Sequence, residues 1–188
     1  MPWQWRSLWG FRAKLPIGSD LQTIFHIFLF FDTSAILLSM GLIVAFSKIH
    51  SVGCYTDTPI ARGTYIIEYT GPRLTVEEAD ERYAEQEDTY LFGLSDGKQV
   101  IDGYGTAAFI NHSCDPNCET TEDDEGRVWV FALRDIAAGE ELTYDYGLYD
   151  GADDDPSTCV CGARNCRGTL YSPAEVERRQ AERDSAQG

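Results

Sequence analysis

Cys159, Cys161 and Cys166 form a Cys-x-Cys-x4-Cys cluster among Gly162, Asn165 and Gly168, a crowding that suits thiolates converging on one ion. Three thiolates leave one position of a tetrahedral zinc open, and structural zinc sites are normally closed by a fourth ligand. Cys114 or Cys118, both inside Asn111-His112-Ser113-Cys114-Asp115-Pro116-Asn117-Cys118, could supply it through space. Disulfides or unrelated thiols are the alternative reading, and reducing conditions inside a cell favour zinc over them. Cys54 has no partner in sequence and reads as a small packed residue.

The second candidate chemistry lies in two separated segments. Asn111-His112 brings a short amide and an imidazole together beside a turn, although an isolated pair of this kind is ordinarily a hydrogen-bonded structural histidine. Glu141-Leu142-Thr143-Tyr144-Asp145-Tyr146 places two tyrosines two residues apart. On a strand they share a face, and packing in a core or across strands is the usual role of such a pair.

The elements that must position these groups are short strands and turns. Tyr65-Ile66-Ile67-Glu68-Tyr69 is a β-rich run ended by Gly71-Pro72, and Arg127 to Leu133 alternates Val128, Val130 and Ala132 against Trp129, Phe131 and Leu133. Tyr90 to Leu94 and Gln99 to Ile101 predict a hairpin around Asp96-Gly97. Thr75 with Glu78, and Ser172 with Pro173 and Glu175, match capping boxes that start two helices. The second, from Pro173 to about Asp184, is polar on most sides and is expected to be solvated. The acidic runs Glu122 to Glu125 and Asp153 to Asp155 read as loops.

The chain of 188 residues carries a net charge of -16, with 43% hydrophobic and 12% aromatic residues. That suffices for a real core in one domain with an appendage and argues against wholesale disorder. The first fifty residues sum to +2, so the acidity belongs to the main domain. Such a surface repels phosphate backbones and attracts basic polypeptides, which argues against direct nucleic-acid binding; solubility alone is an equally simple reason for the charge. Residues 1–46 differ, with Trp3, Trp5 and Trp9 ahead of an apolar stretch over 21–46. His26 and Asp32 interrupt that stretch and leave an uncharged run of 14 residues from Thr33 to Phe46, short of the ~20 that span a bilayer. Membrane contact through 21–46 is therefore not the favoured reading, and an extra packed helix or a poorly ordered leader stands beside it. A signal peptide fits poorly, because the apolar part lies late and no clear cleavage site follows.

Taken together, the segments resemble the SET-domain protein lysine methyltransferases that carry a zinc-binding post-SET tail. The likeness runs from about Ser47 to Leu170. It rests on Ile49-His50, Gly53, Glu68-Tyr69-Thr70-Gly71, Phe109-Ile110-Asn111-His112-Ser113-Cys114-Asp115-Pro116-Asn117-Cys118, Glu141-Leu142-Thr143-Tyr144-Asp145-Tyr146 and the cysteine cluster, in that order. It implies a mainly β fold of small curved sheets with short helices and a zinc-bound C-terminal segment. The domains are then a hydrophobic leader over 1–46, the SET domain over 47–150, the post-SET segment over 151–170 and a polar helix over 171–188.

The resemblance also implies a function, transfer of a methyl group from S-adenosylmethionine to a protein lysine. By that likeness Gly53, Asn111, His112 and Tyr146 hold the cofactor, Tyr146 stands at the reacting amine, and Tyr69 lines the lysine channel. Tyr144 matches a position that is phenylalanine or tyrosine in the family, where a hydroxyl restricts the product to mono- or dimethyl-lysine. Cys114 joins Cys159, Cys161 and Cys166 around a structural zinc, and the tail completes the channel, with Leu170 at its edge. The partner is a lysine-bearing protein or peptide, with histone tails as the family's best-known case, and the setting is intracellular, cytoplasmic or nuclear. Two departures stand out: Ser51 replaces the first glycine of the usual His-Gly-x-Gly, and Ala108 stands where an arginine commonly precedes Phe109. They motivate an alternative, a non-catalytic module that binds basic peptides. A membrane-tethered redox or metal-storage protein would explain the cysteines but not the tyrosines.

Overall fold

The computed structural model describes residues 41–86, 89–149 and 157–186. The apolar stretch over 21–40 and the acidic run 153–155 lie outside them. No helix among the described residues is long and apolar enough to cross a membrane.

Among the described residues, ten short strands and two α-helices follow in chain order. β1 (Leu42–Phe46) pairs antiparallel with β2 (Val52–Thr56). The end of the apolar stretch is thus one strand of a hairpin, and the boundary expected between 46 and 47 falls inside that hairpin. β3 (Tyr65–Tyr69), β9 (Val128–Ala132) and β8 (Cys118–Glu122) make an antiparallel sheet with β9 central. A second sheet has β6 (Gln99–Asp102) between β4 (Arg73–Thr75) and β5 (Leu91–Gly93). β7 (Asn111–His112) and β10 (Thr143–Tyr144) form a two-residue parallel pair, with Thr143 opposite Asn111 and Tyr144 opposite His112.

The expected local signals act as read. Val128, Val130 and Ala132 are buried while Trp129 and Phe131 stand half-buried on the other face, the period of two that a sheet with one covered face imposes. β5 and β6 close antiparallel around Asp96-Gly97, with the Asp96 carboxylate accepting from the Lys98 and Gln99 N–H groups at 2.8 and 3.1 Å. α1 (Val76–Tyr83) begins at a complete capping box: Thr75 Oγ1 accepts from Glu78 N at 3.2 Å and the Glu78 carboxylate accepts from Thr75 N at 2.9 Å. Of the acidic run expected as a loop, Glu122 instead ends β8 opposite Val128, and the rest forms a tight turn in which Asp123 accepts from Glu125 N and Arg127 N at 3.1 and 2.8 Å.

α2 (Pro173–Ala186) departs from expectation in two ways. Ser172 Oγ accepts from Glu175 N at 3.1 Å, but Ser172 N donates to Leu148 O at 2.9 Å, so only half of the capping box forms. The Glu175 carboxylate turns instead to Arg178 and Arg179. Glu175 and Arg179 are also 6% and 7% exposed, and the Arg179 guanidinium lies 3.9 Å from the centre of the buried Tyr171 ring. The helix therefore buries one charged stripe through ion pairing and ring stacking, although its composition is polar.

One core joins the sheets, built on Ile66, Ile101, Ile110, Val130, Ile136 and Leu142. Cys54 and Cys118 are fully buried within it, and burial pushes both thiols up to about 12. Cys54 is the packed residue expected. Cys118, one of the two candidates for a fourth metal ligand, is a core thiol that donates to Asn117 Oδ1 at 3.4 Å.

Candidate functional site

The parallel pair β7–β10 is the hinge of the site. It sets Asn111-His112 beside Tyr144, across more than thirty residues of sequence, with Ser113 N donating to Tyr144 O at 3.1 Å. Just past β10, Tyr146 N donates to His112 Nδ1 at 3.1 Å, and the Tyr146 hydroxyl donates to Ile110 O at 3.1 Å. The two ring centres lie 5.4 Å apart. A neutral imidazole that accepts at Nδ1 carries its proton on Nε2, and His112 Nε2 faces Cys114 Sγ at 3.3 Å. Burial lowers the His112 pKa against the opposing pull of Asp145, so the neutral form prevails at pH 7.

Tyr69, Phe92, Tyr144 and Tyr146 form a connected aromatic wall, with successive ring centres at 5.2, 6.2 and 5.0 Å. They line a cavity of about 290 Å³ together with Tyr90 and Ala108. The Tyr69 hydroxyl donates to Tyr90 O at 2.8 Å. Gly103 makes room for it: a Cβ there would stand 2.6 Å from the Tyr69 hydroxyl oxygen. Tyr144 lines the cavity, and its hydroxyl makes no hydrogen bond with the other described residues. Burial raises the pKa of Tyr69, Tyr144 and Tyr146, the last to about 12. All three phenols are therefore protonated at neutral pH, able to donate or accept hydrogen bonds but not to act as phenolates. The aromatic wall of this cavity disfavours a charged ammonium and favours a neutral amine by desolvation, while Asp80 and Thr89 make other parts of the lining polar.

Gly53 lies against Asn111, and its lack of a side chain has a visible cause. A Cβ would stand 2.1 Å from Glu141 Oε1 and 2.9 Å from Asn111 Nδ2. Ser51 holds φ at 33°, in the left-handed region where a glycine would be unstrained. The backbone conformation a glycine there would favour is thus kept by a serine.

The cysteine cluster closes on the far end of the same segment. Cys159 Sγ lies 3.8 Å from Cys114 Sγ and 3.6 Å from Cys166 Sγ. Four sulfurs about 2.3 Å from one tetrahedral zinc stand about 3.8 Å apart, so these spacings suit the ion. Each sulfur also receives one backbone N–H at 3.4 Å: Cys114 from Arg167, Cys159 from Cys161, Cys161 from Cys114, and Cys166 from Gly168. Such donors favour thiolates, and Cys161 is lowered to about 6, whereas burial holds the Cys114 and Cys159 thiols up. The donor atoms of His112, Cys114, Cys159 and Cys161 also lie within 4.8 Å of one another. His112 Nε2 carries a proton when Nδ1 accepts, so it is placed as a hydrogen-bond donor to Cys114. The cluster fits a zinc-binding post-SET segment.

The fold sets Gly53 and Tyr144 beside the Asn111-His112 pair and Tyr146 against His112, but of the sequence-selected site residues only Tyr69, Tyr144 and Tyr146 line the cavity; other residues hold the parts together. Arg167 donates to both Asp145 oxygens at 2.8 and 2.7 Å, tying the cysteine tail to the strand of the tyrosines. Asn165 Nδ2 donates to Cys114 O at 3.2 Å. Leu170 pairs through its backbone with Leu148, which lines the cavity. Phe92 is legible only as a strand residue, and Glu141 and Asn117 carry no signal beyond their place in the motifs.

The small sheets, the parallel pairing of β7 with β10 and the tyrosine-lined cavity define a protein of SET architecture. Residues 51–147 match the SET domain family, and the chain belongs to it. Over 136 residues it is 44% identical to proteins of Eremothecium gossypii and Saccharomyces cerevisiae, each named histone-lysine N-methyltransferase, H3 lysine-4 specific. Those matches cover 66% of this chain and 14% and 12% of the relatives. The histone-lysine N-methyltransferase ash1 of Drosophila melanogaster is 42% identical over 129 residues, 63% of this chain and 6% of its own length. The chain thus spans a small part of the curated relatives it matches.

Proposed function

We propose that the chain is a protein-lysine N-methyltransferase. The observation that carries this reading is the 290 Å³ aromatic cavity whose Tyr146 is bonded to the Ile110-Asn111-His112 segment. Gly53, Asn111, His112 and Tyr146 would hold S-adenosylmethionine, which would supply a methyl group already activated by a positive sulfur. The protein's own work is alignment and desolvation. Tyr69, Phe92 and Tyr144 confine the lysine stem and favour its neutral amine, whose ordinary pKa is about 10.4. Tyr146, fixed through its hydroxyl to Ile110 and through its backbone to His112, sets the rim at which the amine would meet the methyl.

Cys114, Cys159, Cys161 and Cys166 are the ligands of a structural zinc in this reading, with His112 donating to Cys114. The Tyr144 hydroxyl, without a hydrogen bond among the described residues, supports a limit at mono- or dimethylation, since it can hold a water or the amine itself. The net acidity of the chain and the names of the relatives support a histone-like basic segment as substrate, and hence a chromatin setting.

The test is transfer of a labelled methyl group to a panel of basic peptides, read by mass spectrometry, with zinc-loaded protein. Tyr146→Phe removes the hydroxyl while keeping the ring; transfer should fall by about a hundredfold, within the range of a lost transition-state contact, with the fold unchanged. Tyr144→Phe should shift the products towards the trimethyl form, and an unaltered product distribution counts against the limit. Peptide binding without any transfer by the folded, zinc-loaded chain would instead favour a non-catalytic module.

A further inference from the structure

Glu141 lies outside the residues that the sequence singled out for cofactor binding, yet three side chains converge on its carboxylate. Ser47 Oγ donates to Oε1 at 2.7 Å, Asn111 Nδ2 donates to Oε1 at 2.8 Å, and the Tyr55 hydroxyl donates to Oε2 at 3.0 Å. The backbone is pinned as well: Glu141 bridges to Tyr55, and its carbonyl accepts from Asn117 Nδ2 at 2.7 Å. Gly53 provides the space, since any Cβ there would overlap the carboxylate.

This arrangement fixes which way the Asn111 amide faces. Its second N–H goes to Val52 O at 2.9 Å, so both hydrogens are taken by acceptors. Rotating the amide by 180° would set Oδ1 against a carboxylate and a carbonyl, two acceptors that offer it no proton. Asn111 Oδ1 is therefore held as the outward group. It accepts no hydrogen bond from the other described residues, and it is not sealed from solvent. A free acceptor beside a fixed carboxylate suits a cationic N–H donor. S-adenosylmethionine has adenine-amine and hydroxyl donors, but only its α-ammonium is a cationic one.

We propose that Glu141 is a positioning residue that locks the Asn111 carboxamide so that Oδ1 receives the α-ammonium of the cofactor. The assignment rests on the methyltransferase reading and extends it to a residue that acts through the Asn111 amide.

Calorimetric binding of S-adenosylhomocysteine, compared with its analogue lacking the α-amino group, tests this on the full zinc-loaded chain. Wild type should prefer the amine-bearing ligand. Glu141→Leu should weaken that ligand at least tenfold and the deaminated one less than threefold, so the preference collapses. Glu141→Gln, which still offers an oxygen to Asn111, should retain the amine-bearing ligand within threefold. Should Glu141→Leu fail to fold, the pair Ser47→Ala, Tyr55→Phe releases the same carboxylate and should lower the preference in the same sense. Binding by wild type with an unchanged preference in the folded variants overturns the role of Glu141 alone. A folded wild type that binds neither ligand overturns the cofactor reading and this assignment with it.

Discussion

Replacing Asn117 is the sharpest test of how the site is held. The side chain is 2% exposed and fully used: Nδ2 donates to Glu140 Oε1 at 3.0 Å and to Glu141 O at 2.7 Å, and Oδ1 accepts from Thr143 N at 2.9 Å. It therefore staples the segment that carries the tyrosines to the loop that carries Asn111 and Cys114. Asn117→Ala leaves Thr143 N and Glu141 O without these partners, and the Cys118 thiol, a weak donor, loses its acceptor as well. At about 1–3 kcal/mol for each orphaned buried group, the loss is about 2–6 kcal/mol, against a total stability of about 5–15 kcal/mol for a domain. Glu140 adds little to the loss, because Arg134 and the Ala137 N–H still hold it.

Asn117→Asp sharpens the test by keeping the shape and changing the chemistry. The introduced carboxylate still accepts from Thr143 N, but it stands against the carboxylate of Glu140 and sets a lone pair against Glu141 O. Both effects raise the folded-state pKa of the new carboxyl group above its unfolded value of about 3.9. The penalty is therefore absent at pH below about 3.9 and grows as pH rises through the higher folded value. Guanidinium unfolding of the zinc-loaded chain, followed by far-ultraviolet circular dichroism at about pH 5 and about pH 7, reads both variants. Asn117→Asp should lie closer to wild type at the lower pH than at the higher. A loss under about 1 kcal/mol for Asn117→Ala, the floor for one orphaned group, would refute the staple. An Asn117→Asp protein as stable as wild type at neutral pH would refute its electrostatics.

Ser51→Gly should stabilise the chain by about 1 kcal/mol in the same denaturation experiment, because Ser51 holds φ at 33° and a glycine meets no Cβ penalty there. Metal analysis after dialysis should give one zinc per chain. Cys166→Ser should weaken its retention, whereas Cys54→Ala and Cys118→Ala should leave the zinc content unchanged. Acid unfolding should set in between pH 4.5 and 2: Glu140 is held down at about 2 by Arg134, and Glu175 at about 2 by Arg178. A lowered carboxylate pKa gives stability that is complete above the unfolded value and is lost as pH falls through the folded one. Arg134→Met should raise the Glu140 pKa towards its unfolded value and change the acid transition read by circular dichroism; an unmoved midpoint counts against it.

What can be read from the sequence is local. The strands at Tyr65–Tyr69 and Val128–Ala132, the hairpin at Asp96-Gly97 and the Thr75–Glu78 cap each follow from residues within a few positions of one another. The metal cluster is legible for the same reason, up to its fourth member. Cys114 and Cys118 share one loop, and only the start of β8 at Cys118, which turns that thiol into the core, separates them. The stapling residues are not legible, since Asn117, Glu141 and Arg167 act on partners between 22 and 94 residues away. Nor is the buried stripe of α2, because ion pairing and the Tyr171 ring allow charges inside that a polarity pattern places outside.

The spacing Tyr144-Asp145-Tyr146 joins the two halves of the site. Extended backbone sends alternate side chains to opposite sides, so the two phenols enter the cavity while the carboxylate between them leaves it. That carboxylate meets the Arg167 guanidinium in a paired contact, and the backbone N–H of the same arginine rests on Cys114 Sγ. Cys114, in turn, is two residues from His112, whose ring receives the Tyr146 N–H. The loop of contacts therefore closes on itself, from tyrosine to carboxylate to arginine to sulfur to imidazole and back to tyrosine. A metal that fixes Cys114 would stiffen every member of this loop, including the phenols, without approaching the cavity. This explains why a cluster with no place at the reacting atoms lies against the strand that bears them, and why the four sulfurs and the two tyrosines are best regarded as one mechanical unit.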